Sequence, residues 1–168
     1  MRLLVVRHAI AEDPAVFAAT GRNDAERPLT EKGRRRMRSV ARGLKKLVPA
    51  IDGVATSPLV RAVETAEIIG RAYRGAPVTR LPELAPQAEP AALVPWLERQ
   101  RSREVVAAVG HEPALSRWVS WLLGDAERPF VEFKKGGVCC LEVPDAPGPG
   151  SAVLQWMLTP GQLRRMAG

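Results

Sequence analysis

The chain has 168 residues, 46% of them hydrophobic, which suits a single domain spanning residues 1–168 around one core. No apolar run approaches the ~20 residues of a membrane span, and Arg7 interrupts the first one, so neither a spanning helix nor a signal peptide is expected and the cytoplasm is the default compartment. The net charge of +7 lies wholly in residues 1–50, which hold 12 Lys and Arg against 5 Asp and Glu, while the rest of the chain balances at 13 of each.

Leu3 to Val6 is entirely apolar with two β-branched residues, the pattern of a strand buried on both faces. It stops at Arg7 and His8. A cation and an imidazole at the carboxyl end of such a strand stand where open α/β sheets bind ligands, although a solvated strand end explains these two residues equally well. Asp13 to Arg27 is polar, holds Pro14, Gly21 and Asn23, and reads as a mobile loop over the strand tip. Thr30 is a natural N-cap for a helix carrying Met37, Val40, Ala41, Leu44, Leu47 and Val48 at spacings of three and four, ended by Pro49. Its other face holds Arg34, Arg35, Arg36, Arg38, Arg42, Lys45 and Lys46. A solvated face is the simplest reading, docking of an acidic partner the alternative. No aromatic residues interleave with these cations, so nucleic-acid binding is not expected.

Ile51 to Thr56 is a second strand, followed by Ser57 as a predicted N-cap and Pro58 as a predicted first helical residue. Arg61 falls in the first turns of that helix, where free amides and the dipole already favour an anion; a surface ion pair with Glu64 or Glu67 is the competing reading. Val78 to Leu81 is a short strand, and Pro82 to Pro86 leaves it as a rigid loop bearing Glu83. A helix is predicted over residues 90–101, with Leu93, Trp96 and Leu97 inward. Glu104 to Gly110 is another buried strand, and it stops at Gly110-His111-Glu112-Pro113, with Pro113 in the first turn of a helix through Leu115, Trp118, Val119 and Leu122. The only two histidines therefore both follow strands, and in a parallel sheet they would face one pocket.

Asp125 to Gly137 reads as a polar loop with an extended piece at Phe130 to Phe133. Val138 to Val143 and Ala152 to Leu158 are predicted to pair as an antiparallel hairpin through the Pro- and Gly-rich 144–150 segment. Thr159 and Pro160 open a last short basic helix. Cys139 and Cys140 are adjacent, so their side chains point to opposite faces and both are read as reduced thiols. Two histidines and two adjacent cysteines offer no metal-ligand spacing, so no metal is expected.

Arg7-His8, SPLVRAVETA around Arg61, Glu83 in LPELAP, and Gly110-His111 come in an order that resembles the histidine phosphatase superfamily (branch 1), the phosphoglycerate-mutase-like enzymes. With the RPLTEKG segment, GHEP and the short length, the chain is most similar to the SixA group of phosphohistidine phosphatases. The resemblance covers nearly the whole chain. It implies an α/β fold, a three-layer α/β/α sandwich with a mainly parallel sheet of about six strands, one of them antiparallel. It implies a phosphatase without cofactors in which His8 becomes phosphorylated, Arg7, Arg61 and His111 hold the phosphoryl group, and Glu83 donates a proton, with Glu12 and Glu112 as nearby rivals. Arg27 and Ser57 would lie at the substrate rim, N-cap duty being at least as good an account of Ser57. The partner would be a phosphorylated protein such as a phosphotransfer domain, or a small phosphate ester, and the chain is read as a monomer. A non-catalytic phosphate-binding adaptor is the reading from another class. One departure is plain: the family's first motif is usually Arg-His-Gly, and here Ala9 follows His8, although alanine also occurs there among SixA-like sequences. Glycine permits positive φ and close backbone approach, which alanine tolerates poorly.

Overall fold

The computed structural model describes residues 1–126 and 128–168. Six strands, β1 (Arg2–Arg7), β2 (Gly53–Thr56), β3 (Val78–Arg80), β4 (Val105–Gly110), β5 (Val138–Glu142) and β6 (Val153–Leu158), form one sheet in the order β3-β2-β4-β1-β5-β6. The ladders from β3 to β1 are parallel, and β5 alone runs the other way, between β1 and β6. The predicted hairpin is therefore present, with a bulge between Cys140 and Leu141. β1 and β4 are the central pair, and their buried apolar runs reflect helices on both faces of the sheet.

The described residues hold six α-helices, α1 (Pro14–Ala18), α2 (Glu31–Leu47), α3 (Val60–Ala72), α4 (Val94–Arg99), α5 (Ala114–Gly124) and α6 (Pro160–Met166), of which α2 to α6 pack on those faces. Leu4, Val6, Ala107 and Cys140 join one core with residues of α2, α3 and α6. Leu3, Val5, Ala108 and Cys139 join the other with residues of α4 and α5. The adjacent cysteines thus serve opposite cores as free, buried thiols, and burial pushes Cys139 up to about 12. Helix α2 sits unusually close to the chain after β1, since a Cβ on Gly33 would collide with the Ile10 carbonyl. That carbonyl also accepts from the amide and hydroxyl of Thr30, whose hydroxyl in turn caps Gly33.

Several predicted boundaries move. The 13–27 segment is not a plain loop: it holds α1, capped by Asp13, and a 3-10 turn over Asp24–Glu26, capped by Asn23. Helix α3 begins at Val60, with Leu59 rather than Ser57 at its N-cap and no side-chain cap. The helix predicted over residues 90–101 is a 3-10 turn (Pro90–Leu93) followed by α4. Pro95 explains the break, because it has no N–H to continue an α-ladder begun at Pro90 but is tolerated in a first turn. Pro113 stands just before α5, at the N-cap. Residues 130–133 form no strand among the described residues; Phe130 donates its amide to the Ser120 hydroxyl and Phe133 gives its carbonyl to Arg7.

Candidate active site

The parallel ladders bring the carboxyl ends of β1, β2, β3 and β4 to one edge, where the strands stop and the chain turns toward helices. The His8 amide there donates to the Gly110 carbonyl at 3.0 Å, tying the two histidine-bearing junctions together. As a result the His8 and His111 rings lie 5.1 Å apart between centroids, tilted by 54°. Both are buried, at 7% and 2% exposure.

Each ring is oriented by one contact. His8 Nδ1 lies 2.7 Å from the Ala9 carbonyl, which can only accept, so Nδ1 carries the proton and Nε2 keeps a lone pair. His111 Nε2 lies 2.8 Å from the Ser57 hydroxyl, so its Nδ1 is the atom left over. Burial lowers His8 to about 4, and the Arg61 and Arg7 charges push the same way against the Ala9 hydrogen bond. Burial also lowers His111 to about 3, helped by His8 and Arg61. Both imidazoles are therefore neutral at pH 7.

Arg61 is only 5% exposed, which excludes the surface ion pair with Glu64 or Glu67. Glu64 instead binds the Leu29 amide and Arg34, and Glu67 pairs with Arg71. Arg61 reaches Asp24, donating Nη1 to its carbonyl at 2.9 Å and placing Nη2 3.1 Å from its carboxylate. The same carboxylate accepts from Arg27 Nε at 2.7 Å, and Arg27 Nη1 donates to the Glu12 carbonyl. Arg7 donates Nη1 to the Phe133 carbonyl at 2.5 Å. Among the described residues, Arg7 Nε, Arg61 Nε and His111 Nδ1 are buried without a hydrogen-bond partner. Leaving a buried polar group unsatisfied costs about 1–3 kcal/mol, so two guanidinium donors and an imidazole nitrogen at one edge describe a cradle for an oxyanion.

Glu83 lies in the 3-10 turn Pro82–Leu84, whose Leu84 carbonyl packs beside Gly110, and its Oε2 is buried without a partner among the described residues. Glu112 has Oε2 bound by Ser116 and Oε1 buried without a partner, and burial raises its pKa. Glu12 contributes its backbone, donating to the Pro28 carbonyl and accepting from Arg27. Ser57 faces His111, and Arg27 stands behind Arg61 through Asp24. Sequence reading missed Asp24, because the pair spans 37 residues. It also missed Thr65, whose hydroxyl donates to the Arg61 carbonyl at 2.7 Å and accepts from the Ala9 amide at 3.1 Å. Four-residue spacing from Arg61 was the only signal for Thr65. Among the described residues no group of three His, Cys, Asp or Glu could hold a metal ion, and no helix is long and apolar enough to cross a membrane.

Several known proteins resemble this chain. A model of the histidine phosphatase superfamily (branch 1) matches residues 3–88. An uncharacterized protein of Picosynechococcus sp. is 36% identical over 140 residues, 82% of each chain. Phosphohistidine phosphatase SixA of Escherichia coli is 26% identical over 167 residues, covering 98% of this chain and 97% of that one. A solved structure of the protein histidine phosphatase SixA complexed with tungstate superposes with a TM-score of 0.81 at 26% identity, covering 97% of this chain and 99% of the other.

Proposed function

Because the chain belongs to the histidine phosphatase superfamily (branch 1), we propose that this phosphatase removes phosphoryl groups from phosphohistidine on a protein, with His8 as the nucleophile. The observation that carries this reading is the fixed tautomer of His8, which keeps the Nε2 lone pair free beside two buried guanidinium donors and a His111 nitrogen without partners. The likeness to SixA over almost the full length supports the substrate class, and tungstate on that relative is a tetrahedral oxyanion, the shape this cradle suits.

The reaction takes two transfers. His8 Nε2 attacks phosphorus while Arg7, Arg61 and the Nδ1–H of His111 hold the phosphoryl oxygens, a tautomer available when the Ser57 hydroxyl donates to His111 Nε2. The bond from phosphorus to the substrate imidazole breaks, its electron pair stays on that ring, and the ring takes up a proton from Glu83. A water molecule then attacks phosphorus on His8. The second phosphorus–nitrogen bond breaks, its electrons return to Nε2, and inorganic phosphate leaves as the proton of the water goes back to the carboxylate. Charge neutralisation is assigned to the two arginines, and their rigidity matters because a preorganised donor needs no rearrangement as charge develops.

The test is phosphate release from a phosphotransfer domain bearing phosphohistidine, measured beside a panel of small phosphate esters for wild type and His8→Ala. His8→Ala is expected to lower the rate by at least about four orders of magnitude with an unchanged circular-dichroism spectrum. An acid-labile phosphoenzyme trapped by rapid quenching should appear in wild type alone. A rate on one small ester that far exceeds the protein rate would move the substrate assignment, and near-normal turnover by His8→Ala would remove the nucleophile.

A further inference from the structure

A second cationic feature stands one strand away from the histidines, on the same edge of the sheet. A narrow crevice of about 40 Å³ is floored by Met37, Val40 and Pro160 and rimmed by Arg36, Lys135 and Arg164. These cations come from α2, the segment before β5, and α6. No acidic residue lines the crevice, and none of the three cations is in an ion pair among the described residues. This sets Arg36 apart from much of its helix. Arg34 pairs with Glu64 and Glu31, Arg38 reaches Glu31, and Lys45 donates to the Ala72 carbonyl.

The crevice shares a wall with the catalytic segment. Ala9 and Ile10 line it, and Gly136, next to Lys135, donates its amide to the carbonyls of Arg7 at 3.1 Å and His8 at 3.2 Å. The charge of Lys135 is felt at His8. In the strand order the phosphoryl cradle lies over β2, β4 and β1, and the crevice lies over β1, β5 and β6. At about 4.8 Å per strand, β6 is roughly 10 Å from β1. An extended chain covers that in about three residues, and a helix in about two turns.

We propose that the Arg36–Lys135–Arg164 crevice docks an acidic side chain of the protein that carries the phosphohistidine, a few residues from the phosphorylated ring. This rests on the phosphohistidine reading above and adds a recognition rule to it. The three unpaired cations around a small apolar floor favour a single carboxylate side chain reaching in from a partner's surface. The apolar floor suits the methylene stem of a glutamate and the cationic rim its head. Placing a second anion here also makes chemical sense: the rim attracts a negatively charged partner from a distance and fixes its register before the phosphoryl group reaches His8.

Two short peptides test the rule, each with one phosphohistidine, one flanked by Asp and Glu and the other by Ser and Ala. Wild type should turn over the acidic peptide with about five- to tenfold higher kcat/KM, a preference that fades near 0.5 M salt, as exposed charge pairs do. Arg36→Glu/Lys135→Glu should abolish or reverse the preference and leave the neutral peptide's rate within twofold. The control Arg99→Glu/Arg101→Glu makes the same change of net charge away from the crevice and should retain the preference. Equal wild-type rates for the two peptides, or loss of preference in the control as well, would overturn the proposal while leaving the phosphatase reading intact. If neither the peptides nor the phosphotransfer domain is hydrolysed, the phosphohistidine reading fails by itself. The crevice is then judged by fluorescence-anisotropy binding of the two peptides to His8→Ala, where tighter binding of the acidic peptide that Arg36→Glu/Lys135→Glu removes supports docking and equal binding rejects it.

Discussion

Two regions of this molecule set arginines beside the same sheet, and they differ in how completely their polar groups are satisfied. Between β2, β3 and α4 a crevice of about 260 Å³ is lined by Arg99, Gln100 and Arg103 next to Trp96. Arg99 is exposed to solvent there and its neighbours are paired: Arg103 donates to the Asp52 carbonyl, the Asp52 carboxylate accepts the amides of Glu104 and Val105, and Gln100 donates to the Trp96 carbonyl. At the other edge Arg7, Arg61, His111 and Glu83 each keep a buried polar atom without a partner among the described residues. Room alone does not mark a site. Unsatisfied buried donors converging with a fixed imidazole do, because nothing in the fold repays their desolvation.

The sharpest way to break that contrast is to remove an arginine from each region. Arg61→Ala should lower kcat/KM by about two to three decades, the size of one charge-stabilising donor lost. Arg99→Ala should stay within about twofold, as expected where no group awaits a ligand. Comparable losses in the two variants, measured with the same phosphohistidine substrate, would mean that the cradle has no special standing.

A second contrast separates these imidazoles from solvated ones. Both folded pKa values, about 4 for His8 and about 3 for His111, lie below the ordinary value of 6.5. Charging either ring therefore favours the unfolded chain. The stability that their neutral burial contributes is complete above about pH 6.5 and is lost as pH falls toward 4 and then 3. With only two histidines in the chain, the imidazole C–H resonances are directly readable by NMR. Neither should shift between about pH 8 and pH 5.5, where a solvated histidine of pKa ~6.5 would titrate. A midpoint near 6.5 for either ring would show it open to water and would weaken the case for a preorganised site.

Asp24 divides the two regions more subtly and shows where sequence reading stops. Buried parallel strands write themselves as apolar runs with abrupt polar ends, so Arg7-His8 and His111 stand out in the residue order alone. The Thr30 cap is equally legible because its partner lies three residues away. Ser57 obeys the same local rule and still leaves the helix uncapped: its hydroxyl meets His111 Nε2, a tertiary partner 54 residues distant. Asp24 gives a local sign only of its pairing with Arg27, three residues on, and none of Arg61, which lies 37 residues away. Asp24→Asn keeps the shape and removes the charge that holds Arg61. A loss of about tenfold in kcat/KM is expected, within the range for a misplaced positioning group. A faster enzyme would instead identify the carboxylate as a competitor of the phosphoryl group for Arg61.

A smaller effect on turnover than at Asp24 is expected at Ala9, where the chain departs from its family's glycine. Among the described residues only Arg74 and Asp125 adopt positive φ outside glycine, so Ala9 does not need the conformation that glycine makes easy. Its amide is bound to Thr65, and its methyl is buried in the core shared with Met37 and Val40. The alanine is thus accommodated by packing. Ala9→Gly should cost about 1–2 kcal/mol of stability, from one lost buried methyl and a looser unfolded chain, while kcat/KM stays within about threefold of wild type. Denaturant melts and the same turnover assay separate the two quantities. A tenfold gain in rate would mean that the methyl group obstructs the phosphoryl oxygens, and that the Ala9 amide, freed from Thr65, belongs to the cradle after all.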